Sequence, residues 1–197
     1  MQQLRVHRVR LSEGRLTLRP MTERDWETIR PWNNDPEVLY YWEGDDVTSR
    51  PIEAVQELYR TVSQSAYIFI IELDDVPIGD CWLQEMNLPE ILDRYPGMDL
   101  RRIDLAIGKK ELWGKGWGSR VIGLLTRFGF QKCGADAIFG CGVGDYNPRS
   151  RRAFEKNGYK IIHTVPQPPG RKAGFTFNLM LTRERYYKLR ETISEPK

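Results

Sequence analysis

The run Trp113-Gly-Lys-Gly-Trp-Gly-Ser119 constrains this chain more than any other stretch. It stands between a strand-like segment, Arg102–Lys109, and a helical one, Gly116–Lys132, whose Val121, Leu124, Leu125 and Phe128 fall at i, i+3, i+4 and i+7. Alternate glycines at a strand-to-helix junction let the backbone approach a bulky anion. The N–H groups of the first helical turn point at that anion, and the helix dipole adds favourable potential. The run lacks the GK[ST] ending of a P-loop. A dinucleotide fingerprint needs a βαβ unit, whereas three strand-like segments in a meander precede this loop. A pyrophosphate cradle of another kind is expected.

The rest of the chain supplies a domain around that junction. Arg15–Arg19 alternates like a strand, Thr22 with Asp25 opens a helix to about Trp32, and Pro51 starts another with Ile52, Val55, Tyr59 and Val62 on one face. Ala66–Leu73 and Val76–Met86 read as a hairpin turning at Asp74-Asp75, followed by a loop over 87–99. Ala137–Val143 returns as a strand, Asn147-Pro148 caps a basic helix that stops at Asn157-Gly158, and Tyr159–Val165 with Phe175–Leu181 forms a last hairpin. The order is β-α-α-β-β-β-α-β-α-β-β, with no long linker, which predicts one α/β domain over residues 1–197 with a mixed, mostly antiparallel central sheet flanked by helices. Its core spans about 15–182, and a terminal helix and tail occupy 183–197.

Downstream, Asn147-Pro-Arg-Ser-Arg-Arg-Ala-Phe154-Glu-Lys-Asn-Gly158-Tyr159 forms a second motif. The pair WGKGWGSRVI and NPRSRRAFEKNGY resembles the GCN5-related N-acetyltransferases (GNAT), over roughly Arg15 to Leu181. The resemblance implies splayed central strands holding acetyl-CoA as co-substrate, with no metal. It assigns cofactor contacts to Ile107, Trp113, Gly114, Lys115, Gly116, Trp117, Gly118, Ser119, Asn147, Arg149, Arg152 and Phe154, with the Ile107 N–H meeting the developing oxyanion. Two departures stand out. Trp113 replaces the usual Arg or Gln at the head of the loop, and Phe154 replaces the Tyr that many members use to protonate the leaving thiolate.

Within that superfamily, Tyr41-Trp42-Glu43-Gly44-Asp45-Asp46, then Arg50-Pro51 and Val55-Gln56-Glu57-Leu58-Tyr59, is similar to the aminoglycoside 6′-N-acetyltransferases, as is Ile103-Asp104 on the strand before the loop. By that resemblance Asp104 is the general base or amine-orienting carboxylate, and the activity is transfer of an acetyl group to the 6′-amine of an antibiotic, conferring resistance. Charge points the same way. Between Asp35 and Asp104 there are 16 Asp and Glu against 5 Arg and no Lys, a net of −11, while the remainder carries +14. A basic region suits the phosphates of coenzyme A, and an acidic one suits a small polycation. Tyr41, Trp42, Glu43, Asp45, Asp46, Asp80, Trp82, Glu85 and Asp104 are the candidate acceptor-binding residues, combining carboxylates with aromatic faces for sugar rings.

Other acceptors stay open. The WGKGWGS form is also similar to ribosomal-protein N-terminal acetyltransferases, and polyamines are further amines. A non-catalytic acetyl-CoA sensor is a reading of a different class. The basic residues are dispersed, against nucleic-acid binding. No stretch approaches the roughly 18 apolar residues of a membrane span, the N-terminal run lacks a signal-peptide core, and three cysteines without a CxxC pair suggest neither disulfides nor zinc. His7 and His163 have no metal-spaced partners. A cytoplasmic monomer or homodimer is expected.

Overall fold

The computed structural model describes residues 2–43 and 47–194. Among them, eight strands form one sheet in the order β1-β2-β3-β4-β5-β6-β8-β7. They are β1 Leu11–Glu13, β2 Leu16–Pro20, β3 Ala66–Leu73, β4 Val76–Glu85, β5 Leu100–Ile107, β6 Ala137–Gly144, β7 Lys160–Pro166 and β8 Phe175–Thr182. The helices are α1 Trp26–Ile29, α2 Pro36–Trp42, α3 Ile52–Ser63, α4 Pro89–Leu92, α5 Trp117–Phe128, α6 Pro148–Glu155 and α7 Arg183–Ser194. Every neighbouring pair of strands is antiparallel except β5–β6.

The period-2 alternation of strands sends side chains to two cores. On β3, Phe69 and Ile71 face the layer of α5, where Val121, Ile122, Leu124, Leu125 and Phe128 are buried. Ile68 and Ile70 face the opposite layer, with Ile29 of α1, Val38 of α2 and Val55 and Tyr59 of α3. Each fully buried large aliphatic or aromatic side chain contributes about 1.5–3 kcal/mol, so both faces of the sheet are firmly covered. No helix of the described residues is long and apolar enough to cross a membrane.

The parallel pair sets up the site. β5 and β6 pair only at Leu100–Ala137, Arg101–Ile138 and Arg102–Phe139. Beyond these, β6 shifts register between Gly140 and Val143 as it follows β8, and the two strands part.

Four elements differ from the sequence expectation. The helix expected from Thr22 to Trp32 does start with its capping box, but only Trp26–Ile29 is α-helical; Pro31 has no N–H to continue the ladder. The seven-residue α2 was not anticipated: the Asp35 carboxylate caps the N–H groups of Glu37 and Val38, and Pro36 occupies the first helical turn. The short edge strand β1 and the single turn α4 inside the expected 87–99 loop are the others.

Candidate active site

The Gly108 N–H donates to the Ile78 carbonyl at 2.8 Å, which fixes the alternation of backbone groups along β5. The N–H and C=O of Leu105 and Ile107 therefore point away from β4, into the gap that β6 leaves. Trp113 Nε1 takes the Ile107 carbonyl at 2.6 Å, and the Ile107 N–H is directed into the gap. Trp113 thus gives a structural reason for the departure at the head of the loop: its indole anchors the loop to the end of β5.

From that anchor the chain turns through Gly114 and Gly116, both left-handed at φ +74° and +86°. A Cβ at either position would meet nothing within 4 Å. The first helical N–H groups of α5, from Trp117 on, have no intrahelical acceptor. Opposite stands α6, capped by Asn147 Oδ1 accepting from the Ser150 N–H at 3.1 Å. Asn157 ties the two helices together, donating from Nδ2 to the carbonyls of Ser119 and Ala153, both at 2.8 Å. Between them lies a cleft of about 290 Å³. Its walls bring together Ile107, Trp113, Gly114, Gly116, Trp117, Gly118, Ser119, Asn147, Arg149 and Arg152. Lys115 projects into solvent beside it. Sequence reading missed Val38, Leu105, Ala106, Leu112, Ile122, Ser150, Ala153 and Lys156, which complete the walls.

Tyr41 and Trp42, at the end of α2, also line the cleft. The Arg149 guanidinium is held between two rings, 4.3 Å from Tyr41 and 4.5 Å from Trp113. Asn147 Nδ2 donates to the Tyr41 carbonyl at 3.2 Å, the Tyr146 hydroxyl donates to the Glu43 carbonyl at 3.1 Å, and Lys172 Nζ donates to the Tyr40 carbonyl. These contacts strap α2 to the far side of the splayed sheet. Glu43 itself pairs with Arg50 at 2.5 Å. Asp45 and Asp46 lie outside the described residues.

Asp80 and Trp82 of β4 lie on the sheet face covered by α2 and α3. Asp104 sits there beside Trp82 in the strand register, its two carboxylate oxygens accepting from Arg102 Nε and Nη2 at 2.8 and 2.7 Å. Across the gap, Cys141 of β6 lies within electrostatic reach of Arg102, Asp104 and Glu90, its thiol pushed up to about 12 mainly by burial. Trp82 is buried with its ring against Tyr59 and Trp42. Asp80 is fully buried, and its Oδ1 accepts from the Tyr59 hydroxyl at 2.9 Å. Burial pushes its carboxyl up to about 7, against the opposing pull of that hydrogen bond.

Asp80, Trp82 and Asp104 do not line the cleft, and neither do two further expected residues. Glu85 is exposed at the end of β4 and pairs with Arg101 at 3.2 Å, where β5 and β6 still run together. Phe154 is buried under the cleft and is not on its wall; its ring lies 5.1 Å from that of Tyr159 and its tip packs on Gly140, the first β6 residue beyond the last β5–β6 pair.

Comparison with known proteins places this geometry. The family described as "Acetyltransferase (GNAT) domain" matches residues 15–160. Aminoglycoside N(6')-acetyltransferases type 1 from Klebsiella pneumoniae and Serratia marcescens are each 28% identical over 174 residues, covering 81% of this chain and 81% of the relative. The crystal structure of aminoglycoside acetyltransferase AAC(6')-Ib with coenzyme A superimposes with a TM-score of 0.73 at 26% identity, over 89% of this chain and 99% of that one. Its structure with ribostamycin and coenzyme A gives 0.74 at 25%, over 89% and 97%. A spermidine N-acetyltransferase from Vibrio cholerae, at 20% identity and a TM-score of 0.71 over 89% and 99%, shares the fold.

Proposed function

Since the chain belongs to the GNAT acetyltransferase family, we propose that it transfers the acetyl group of acetyl-CoA directly to the 6′-amine of an aminoglycoside. The observation that carries this reading is the cleft itself. It joins a glycine-lined helix N-terminus suited to a pyrophosphate to the rings of Tyr41 and Trp42, from the segment that resembles the aminoglycoside enzymes. The 28% identical relatives with that activity support it.

On this reading the backbone at Gly114, Gly116 and the first turn of α5 holds the pyrophosphate, with Lys115, Arg149 and Arg152 supplying positive charge. The room above both glycines fits such a group, since no atom would meet a Cβ there. Asn147 flanks the pantetheine arm, and Phe154 supports the cleft from beneath. Bound acetyl-CoA supplies an activated thioester carbon. The Ile107 N–H, aimed into the gap, meets the oxygen on which charge develops. An ammonium cannot attack, so the acceptor must first lose a proton. Asp104 attracts and orients the amine, and Glu43, Asp45, Asp46 and the rings of Tyr41, Trp42 and Trp82 hold the rest of the polycation.

The test is turnover over a panel of kanamycin- and tobramycin-type aminoglycosides, polyamines, lysine derivatives and Ser- or Ala-started basic peptides. Acetylation of aminoglycosides at the 6′ position, weakening as salt screens the attraction, is the expected result. Replacing Glu43, Asp45 and Asp46 by their amides should raise the aminoglycoside KM by about tenfold to a hundredfold and leave that of acetyl-CoA nearly unchanged. Turnover of peptides or polyamines alone would replace the acceptor and keep the family.

A further inference from the structure

Four side-chain atoms buried between the sheet and the α2–α3 layer have no hydrogen-bond partner among the described residues. They are Asp80 Oδ2, Asn33 Oδ1, Trp82 Nε1 and Arg50 Nε. All four belong to residues grouped around the Tyr59 ring: Asp80 bonds its hydroxyl, Trp82 lies 5.8 Å away ring to ring, and Asn33 and Arg50 both act on its ionisation. Buried, unmatched acceptors and donors of this kind are what ordered water satisfies. The cluster is not remote from the chemistry. Asp80 stands opposite Ala106 in the β4–β5 register, and Ala106 lines the cleft together with Val38 and Trp42. Asp104, the carboxylate nearest in the register, already has both oxygens engaged by Arg102.

We infer that Asp80, held by Tyr59, is the group that takes the proton released by the acceptor ammonium, through one bridging water behind Ala106. The ammonium gives a proton to the water, and the water gives one to Asp80 Oδ2. This leaves a neutral amine and a carboxylic acid, and the acid later returns its proton to solvent. After attack, the second nitrogen proton leaves with the thiolate as thiol, so the sum is amide, free thiol and one released proton. The ionisation of Asp80 near neutral pH suits this work. The charged groups around it are Tyr59 from α3, Arg50 with its partner Glu43, Asp104 with Arg102 on β5, and Arg19 with Asp25 and Glu72 two strands away.

The inference rests on amine acetylation and not on which amine is acetylated, so the test uses kanamycin or whichever amine of the panel turns over. The measurement is the pH dependence of kcat, which reports groups in the ternary complex and not the free amine. The wild type should lose activity below about pH 7 along a single limb. Asp80→Asn should lower kcat at least about 10² and remove that limb, with acetyl-CoA affinity and thermal unfolding reporting that it is folded. Asp104→Asn should keep the limb in its residual activity. Tyr59→Phe removes a hydrogen bond that favours the ionised carboxylate and should move the limb upward by about one pH unit. It decides the matter even where Asp80→Asn does not fold. A limb unchanged in folded Asp80→Asn, or unmoved in Tyr59→Phe, overturns the inference.

Discussion

Arg102 grips both carboxylate oxygens of Asp104 from two residues away on the same strand face, at 2.7 and 2.8 Å. Arg102 also donates to Asn87 Oδ1 at 3.2 Å, so the pair is fixed to the segment that follows β4. A carboxylate held this way presents a charge at a defined place, which suits orienting a cationic amine. Asp104→Asn keeps the shape and removes the charge. It should lower kcat by about 10²–10⁴, the range for losing a positioning or proton-handling group, with acetyl-CoA affinity nearly kept. Wild-type turnover in the variant at neutral pH would reduce Asp104 to an anchor for Arg102.

The glycine loop yields a prediction with an internal control. Gly116→Val puts a side chain into the open space above the loop, where an added Cβ meets no atom. It also forces a left-handed backbone on a branched residue, at about 1–3 kcal/mol of strain. Gly97 has the same kind of backbone, φ +77°, and the same free space, but lies in the loop before β5 and off the cleft. Both variants should unfold at a lower temperature. Only Gly116→Val should weaken acetyl-CoA binding, by about tenfold or more. Equal affinities by calorimetry would remove the loop from the donor site.

How much of this was legible in the sequence depends on distance along the chain. Helix α5 declared itself through twelve residues of amphipathic spacing, and its expected apolar face is the buried one. The strand-loop-helix junction was readable for the same reason, since its glycines and its helix are adjacent. Helix α2 is illegible by spacing: seven residues rich in aromatics give too short a window for periodicity, although Asp35-Pro36 carries the same start signal as Asn147-Pro148. The Arg102 grip on Asp104 was within reach of strand alternation, because residues two apart share a face. The Tyr59–Asp80 bond was not, because it depends on where α3 lands on β4. The loss of Glu85 from the site follows likewise from register: it lies at the end of β4 where the sheet is still closed.

Burial of Asp80 makes a prediction about stability. Its folded carboxyl ionises near 7, whereas an unfolded aspartate ionises near ~3.9. Between those values the folded state binds the extra proton, so stability falls as pH rises through that window and stays lowered above it. Asp80→Asn has no such cost. Its unfolding temperature relative to the wild type should therefore climb between pH 5 and pH 8, by about 2 kcal/mol or roughly 4–8 °C. A difference that stays constant across that range would mean that Asp80 is not the neutral-pH titrating group.

Phe154 bears on how the thiolate leaves. Its ring is buried, and a Cβ at Gly140 would lie 2.6 Å from the ring tip, so Gly140 is the residue that makes room for it. A phenyl ring cannot donate a proton, so the leaving thiolate must be protonated by the attacking amine itself or by water. Phe154→Leu should then lower stability by about 1–2 kcal/mol through lost packing, with kcat within about threefold of wild type, since no proton transfer is removed. Phe154→Tyr places a hydroxyl at the ring tip, where the strands separate, and should match or exceed wild-type turnover. Single-turnover kinetics with saturating acetyl-CoA would separate the chemical step from product release. A leucine variant that folds, binds both substrates and loses nearly all turnover would show that the ring itself positions the thioester, and the thiolate would then need a donor held in place by that ring.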